Sequence, residues 1–140
     1  MKAVQVVKPN DLRIIDMEKP VIDEKNNVLV KIAASGICGS DVGIYLGTNA
    51  AATYPRVIGH EIVGYVVEVG ESAKKVKVGD RVIIDQVVPC GHCYACRKGR
   101  PNVCGDLHVR GVHIDGGYRE YMAVPDTDCY LVPEMLTDEE

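Results

Sequence analysis

Tryptophan and phenylalanine are absent from the 140-residue chain, and its seven tyrosines are scattered. There is therefore no run of rings on which successive nucleotide bases could stack. Positive charge is also short: 16 Lys and Arg stand against 20 Asp and Glu, a formal net charge of −4, the wrong sign for a chain that tracks phosphates. The basic cluster of Arg97, Lys98 and Arg100 reads as a solvated loop, and no nucleic-acid partner is expected. No apolar run reaches the roughly 18 residues that span a bilayer. The opening MKAVQVVKPN turns polar too early for a signal peptide. Neither a membrane nor a secretory route is expected, and the chain reads as cytoplasmic.

What the chain does have is hydrophobic mass. Apolar residues at 46% and charged ones at 26% match a globular domain and exclude disorder, collagen-like repetition and a coiled coil. A single domain of this length hides roughly 68–70% of its unfolded surface, so the six cysteines are not needed as disulfide staples. Where thiols stay reduced, clustered cysteines point to metal or catalysis.

Short β-branched runs separated by turn signals dominate: 2–7, 12–17, 28–34, 62–69, 81–84, 118–124 and 129–132. Gly70, Gly79-Asp80 and Gly116-Gly117 interrupt them where reversals need permissive backbone. The rhythm is mainly β, and a curled barrel is the natural way to dispose of so many short edges. Two stretches break it. Residues 40–46 predict one or two helical turns capped by Ser40 or Asp41. Residues 89–107 form a loop rich in Cys, Gly and charge, too long for a plain connector. At the end, Thr137-Asp138-Glu139-Glu140 has the form of a capping box, which predicts that a helix begins where this chain stops and that 1–140 is one domain of a longer protein.

Two groups of residues carry chemistry. Cys90, Cys93, Cys96 and Cys104 offer four thiols spaced by two, two and seven residues. Zinc asks for four ligands, with sulfur at about 2.3 Å and tetrahedral angles. Four thiolates close that shell, so a structural ion is expected, one that gives the 89–107 lobe its folding energy. An iron–sulfur cluster is the rival, disfavoured by the long last gap. His92 lies inside this loop but finds the shell already filled. The second group is dispersed: Cys38, followed by Ser40 and Asp41, and then His60 and Glu61. Cys, His and Glu are ligand types that hold zinc while leaving a position open, which is the catalytic pattern, and an open zinc polarises a bound oxygen.

The segments GICGSD, GHEIVGYVVEVG, VKVGDRVIID, CGHCYACRKGRPNVC and DGGYREYMAVP resemble, in order and spacing, the zinc-dependent medium-chain alcohol and polyol dehydrogenases. The likeness is nearest the sorbitol, threonine and sugar-acid branches, and it runs along the whole chain. It implies a GroES-like fold with a zinc-binding lobe, one catalytic and one structural Zn²⁺, and reversible oxidation of a secondary alcohol to a ketone with NAD or NADP. Cys38 and His60 match the family's pair of catalytic zinc ligands, and Glu61 matches a ligand of the sorbitol dehydrogenase-like branch. Asp41 matches the carboxylate that steadies the His ligand, and Ser40 the hydroxyl that accepts the alcohol's proton. A relay His found in many relatives is replaced by Gly43. His108 and His113 are read as structural, Cys129 as a buried strand residue, and Tyr45, Tyr54 and Arg56 as candidate lining of a substrate cleft.

The resemblance further implies a small-molecule alcohol substrate and a homo-oligomer for the full-length enzyme. No G-x-G-x-x-G follows a strand here, so the Rossmann cofactor domain is expected to be missing and the 140 residues alone to be inactive. The competing expectation is a zinc-stabilised β-barrel that binds a partner without redox chemistry.

Overall fold

The structure is a computed structural model and describes residues 1–138. The expected capping box extends to Glu139 and Glu140, which lie outside the described residues. Ten strands follow in chain order: β1 (Lys2–Lys8), β2 (Asp11–Asp16), β3 (Val28–Gly36), β4 (Arg56–Val57), β5 (Glu61–Val69), β6 (Arg81–Ile84), β7 (Val87–Val88), β8 (His108–Val109), β9 (Tyr121–Val124) and β10 (Cys129–Leu131). Helix α1 (Gly39–Leu46) joins β3 to β4, and the short α2 (Tyr94–Arg97) lies between β7 and β8. The protein is mostly strand, as its short β-branched runs predict.

The central sheet has the order β10-β6-β5-β3-β9, and every pairing in it is antiparallel. Alternation puts one set of side chains inside. Val28 and Val30 face Val124 and Met122 across β3–β9, and Ile62 faces Ile84 across β5–β6. These residues, with Val66, Val82 and Cys129, form the main core, each at most 2% exposed. Burying each such aliphatic side chain contributes about 1.5–3 kcal/mol before entropy is counted. Among the described residues the sheet's ladder ends at β9 and β10 without joining them. Its curl comes from two irregularities in the β3–β5 register, at Leu29/Val30 and Ile32/Ala34, since an extra residue bends a strand and increases its twist.

A second, smaller core gathers Val6 of β1, Ile44 of α1, Ile58 and Val112, with Tyr45, Tyr54 and Tyr118 packed against it. It seats α1 beside the end of β3. The cap of α1 differs from expectation: Cys38 is the N-cap, and Asp41 occupies the third helical position. There the Asp41 carboxylate reaches back to accept the Cys38 backbone N–H at 2.9 Å. Satisfying that end-of-helix donor is the reciprocal half of a capping box, so the acidic residue acts on the cap from within the helix.

The 89–107 stretch contains α2 and a 3-10 turn over Pro101–Val103, short structure that sequence periodicity could not resolve. β4, β7 and β8 were likewise not anticipated. Each has two residues, too few for an alternating pattern to register.

Candidate metal centre

The ladder of β3 and β5 brings the dispersed residues together. Gly36 at the end of β3 pairs with Glu61 at the start of β5. Chain continuing from Gly36 places Cys38 at the α1 cap, and chain entering β5 brings His60 beside it. One ligand atom from each of Cys38, His60 and Glu61 lies within 4.8 Å of the others. A Cβ on Gly36 would collide with the Glu61 carboxylate, so the missing side chain at 36 is the space that the carboxylate occupies.

Asp41 is 3% exposed and holds this arrangement from below. Its Oδ2 accepts the Cys38 N–H at 2.9 Å and the Tyr118 hydroxyl at 3.1 Å; its Oδ1 accepts the Gly59 N–H at 3.3 Å. One buried carboxylate thus ties the Cys38 turn to the Gly59-His60 turn. Asp41 Oδ1 is 3.6 Å from His60 Nδ1, facing the imidazole but beyond hydrogen-bond length, and His60 Nδ1 is buried with no hydrogen-bond partner. Ser40 Oγ lies 3.4 Å from His60 Nε2.

Tyr118 is the residue that sequence reading missed. Its hydroxyl donates to Gly36 O at 3.0 Å as well as to Asp41, so it bridges the β3 end and the carboxylate. Desolvation first, and then the negative charge of Asp41, push the phenol well above its usual value, which keeps it a donor. Gly59 has φ +91, and a Cβ there would strike the Tyr118 ring; only glycine meets both demands without strain. The signal was present in the DGGYREYMAVP segment, but a tyrosine inside a strand-like run carries no spacing rule.

The four-cysteine group also converges, with the Sγ atoms of Cys90, Cys93, Cys96 and Cys104 within 4.8 Å of one another. Backbone N–H groups point at the sulfurs: Cys93 N–H to Cys90 Sγ and Cys90 N–H to Cys104 Sγ, both at 3.3 Å, and Asp106 N–H to Cys104 Sγ at 3.4 Å. Such donors favour thiolate. Hydrogen bonds from the Cys96 backbone and then its thiol lower Cys93 to about 6. Burial, and then the bond with Cys93, raise Cys96 to about 12. Crowded thiols oppose one another's ionisation unless a cation compensates, which is the chemistry of a thiolate metal site.

The remaining candidates lie elsewhere. His92 is exposed, with Nδ1 2.8 Å from Cys90 O. His108 and His113 pack edge to face at 5.7 Å, and His113 Nδ1 accepts the Val109 N–H at 3.0 Å. Cys129 is fully buried, and burial raises its thiol to about 11. Tyr45, Tyr54 and Arg56 do not line the cavity that borders His60 and Glu61. The Tyr54 hydroxyl is spent on Ile44 O at 2.5 Å and the Arg56 guanidinium on Asp115 at 2.9 Å, contacts that fasten α1 and β4 instead.

Comparison with known proteins places the chain in a family. Residues 24–134 match the model of the alcohol dehydrogenase GroES-like domain. The chain is 49% identical over 139 residues to the starvation-sensing protein RspB of Escherichia coli K12, covering 99% of this chain and 41% of that protein. It is 47% identical over 137 residues to an uncharacterized zinc-type alcohol dehydrogenase-like protein of Haemophilus influenzae, covering 97% of this chain and 40% of the relative. Among solved structures, an alcohol dehydrogenase (rspB) of E. coli CFT073 complexed with NADH superposes with a TM-score of 0.89 at 49% identity, over 99% of this chain and 40% of that one. Galactitol-1-phosphate dehydrogenase of E. coli gives a TM-score of 0.90 at 34% identity, over 99% and 40% respectively. The chain thus spans about 40% of the length of these relatives. By sequence and by fold, it belongs to the alcohol dehydrogenase GroES-like domain family.

Proposed function

We propose that this chain is the substrate-binding, zinc-holding domain of an NAD(P)-dependent dehydrogenase that oxidises a secondary alcohol to a ketone. The observation that carries the reading is the convergence of Cys38, His60 and Glu61 within 4.8 Å, a sulfur, nitrogen and oxygen donor set that suits zinc with a position left open. The Asp41 carboxylate facing buried His60 Nδ1 at 3.6 Å supports it, because a carboxylate on that side of the ring favours the tautomer whose other nitrogen presents its lone pair. Cys38, His60 and Glu61 would hold the ion, which when bound supplies Lewis-acid polarisation of an alcohol oxygen. Cys90, Cys93, Cys96 and Cys104 would hold a second, structural ion that closes the 89–107 lobe.

The chain's own residues do the rest of the positioning. Asp41 faces His60 Nδ1 and favours the tautomer protonated there, leaving the lone pair of Nε2 free. Ser40 Oγ, on the Nε2 side of the ring, accepts the alcohol proton and passes its own outward, since a hydroxyl donates and accepts at once. With Gly43 in place of an imidazole, solvent takes the proton from Ser40. When bound, NAD(P)⁺ would supply the hydride acceptor, so that the balanced reaction is secondary alcohol plus NAD(P)⁺ to ketone, NAD(P)H and a proton. The six cysteines, all free, suit a reducing cytoplasm.

Metal analysis tests this directly. The full-length protein should carry two zinc ions per chain, and Cys38→Ala should remove one of them. One zinc in the parent protein, with Cys38→Ala leaving the count unaltered, would favour a zinc-stabilised binding module. The 140 residues alone should oxidise no alcohol; measurable NAD-dependent turnover by the purified chain would refute that part.

A further inference from the structure

The three-stranded sheet β2-β1-β4 ends at β2, and the direction of the outer backbone groups of β2 follows from its pairing with β1. Met1 N donates to Met17 O at 2.7 Å and Met17 N to Met1 O at 2.8 Å. Reciprocally bonded pairs alternate along an antiparallel ladder. Ala3 with Ile15 and Gln5 with Arg13, the next such partners in the register, therefore carry the bonds between the two strands. The opposite edge of β1 agrees: Val4 N–H goes to Tyr118 O, and Lys2 O accepts the Glu120 N–H. Leu12, Ile14 and Asp16 thus turn their N–H and C=O groups away from β1, and among the described residues no strand meets them.

Natural sheets guard an open edge with Pro, Lys, a bulge or a covering segment. Residues 11–16 contain neither Pro nor Lys, and the irregularity in the β1–β2 register falls at its end, between Val6 and Lys8. Arg13 is neutralised by Asp11 on the same strand, Nε to Oδ1 at 2.8 Å and Nη2 to Oδ2 at 2.7 Å. Leu12 is 47% and Ile14 72% exposed, and as alternate residues they share one face of the strand. An unguarded edge with an apolar row beside it is a template for another strand.

We propose that this edge pairs with β2 of a second copy of the chain, antiparallel about a two-fold axis at Leu12. Such an axis could pass through Leu12, Arg13 or Ile14. At Arg13 it sets two guanidinium groups directly opposite each other. At Ile14 it sets Leu12 against the Asp16 carboxylate, which Lys2 already holds at 2.7 Å. At Leu12 it sets leucine on leucine and places Asp11 opposite the partner's Arg13, once on each side of the axis. Opposite charges across a strand pair stabilise it and like charges do not, so charge selects this register. The contact is isologous and closes at two copies, fusing two three-stranded sheets into one. It depends on neither the metal nor the redox chemistry.

The test uses the full-length protein. Amide exchange in β2 should slow as protein concentration rises, because pairing covers N–H groups otherwise open to water. Leu12→Cys, oxidised with diamide, should link two chains through position 12, since opposed bonded residues have Cα atoms about 5.5 Å apart, within disulfide reach. Ile14→Cys places its sulfurs roughly 13 Å apart at about 3.3 Å per residue and should link at least about tenfold more slowly. Asp11→Arg and Arg13→Asp should each weaken self-association about tenfold in sedimentation equilibrium, and the double exchange should recover most of it. These side chains lie on the exposed edge, so the variants should fold. Exchange in β2 that ignores concentration, linkage no faster at position 12 than at 14, or association unmoved by either charge change overturns the proposal. Self-association with β2 still open would assign the contact to another surface, and slowing produced only by a foreign extended peptide would assign the edge to a different partner; either result also overturns it.

Discussion

The Tyr118 hydroxyl donates to the Asp41 carboxylate at 3.1 Å, joining positions 77 residues apart in the chain. The same carboxylate binds the backbone of the two turns that carry Cys38 and His60. The candidate metal centre is thereby assembled by a residue that need not touch the ion.

Removing that carboxylate should cost both stability and metal. Asp41→Ala leaves the Cys38 and Gly59 N–H groups and the Tyr118 hydroxyl without their acceptor, and each buried orphan costs about 1–3 kcal/mol. Urea unfolding should show a loss of at least about 2 kcal/mol. Zinc affinity at the Cys38 site should fall about 10–100-fold, as for other groups that orient ligands, while the four-cysteine site retains its ion.

Gly36→Ala isolates geometry from ligand chemistry. Its Cβ would press on the Glu61 carboxylate without deleting any donor. Zinc per chain, measured by atomic emission, should fall toward one, with the remaining ion resistant to mild chelation. Retention of both ions at parent affinity would show that Glu61 does not need that space.

The cysteine lobe should depend on its metal far more than the sheet does. Cys104→Ser, or exhaustive chelation, should release the backbone between Pro89 and Leu107 to fast hydrogen exchange and proteolytic cleavage, because that stretch contributes no residue to the main core. The amides of β3 and β5 should stay protected. Refilling the intact protein with Co²⁺ should give the charge-transfer absorption of a thiolate site.

Tyr118 predicts an alkaline limb. Its folded pKa is raised, by desolvation first and Asp41 second, so above about pH 10, the ordinary tyrosine value, the unfolded chain loses a proton that the folded chain keeps. Stability from this group is complete below that pH and declines as pH climbs toward the folded value. Ultraviolet titration should show one of the seven tyrosines ionising last. Tyr118→Phe should abolish that late step and flatten the alkaline decline in stability.

The sheet was legible because β3, β5 and β6 are β-branched runs bounded by turn signals such as Gly70 and Gly79-Asp80. The four-cysteine group stood out by its spacing, whereas Cys38, His60 and Glu61 were grouped through the family resemblance; in the structure the donor atoms of each group lie within 4.8 Å of one another. Asp41 was legible as a neighbour of the ligands, but its role as the hub of three hydrogen bonds was not, since two of its partners are backbone groups that no side-chain pattern reports. Tyr118 escaped for a related reason: its partner lies 77 positions away, and backbone bonds from Gly117 N–H to Gly59 O and from Tyr118 N–H to Ile58 O bring them together. Tyr45, Tyr54 and Arg56 lie off the cavity beside His60: the two tyrosines pack against the second core, and the Arg56 guanidinium bonds Asp115 and Thr53.

The Gly36–Glu61 pairing turns the β3–β5 ladder into a ruler for the donor atoms. Each residue of strand is about 3.3 Å long, so deleting one anywhere between Val28 and Gly36 would pull the thiolate end out of reach of the carboxylate, however well the rest of the sheet still formed. Length variation compatible with ion capture must therefore be confined to the turns, and the two irregular points in β3 are counted into that measure.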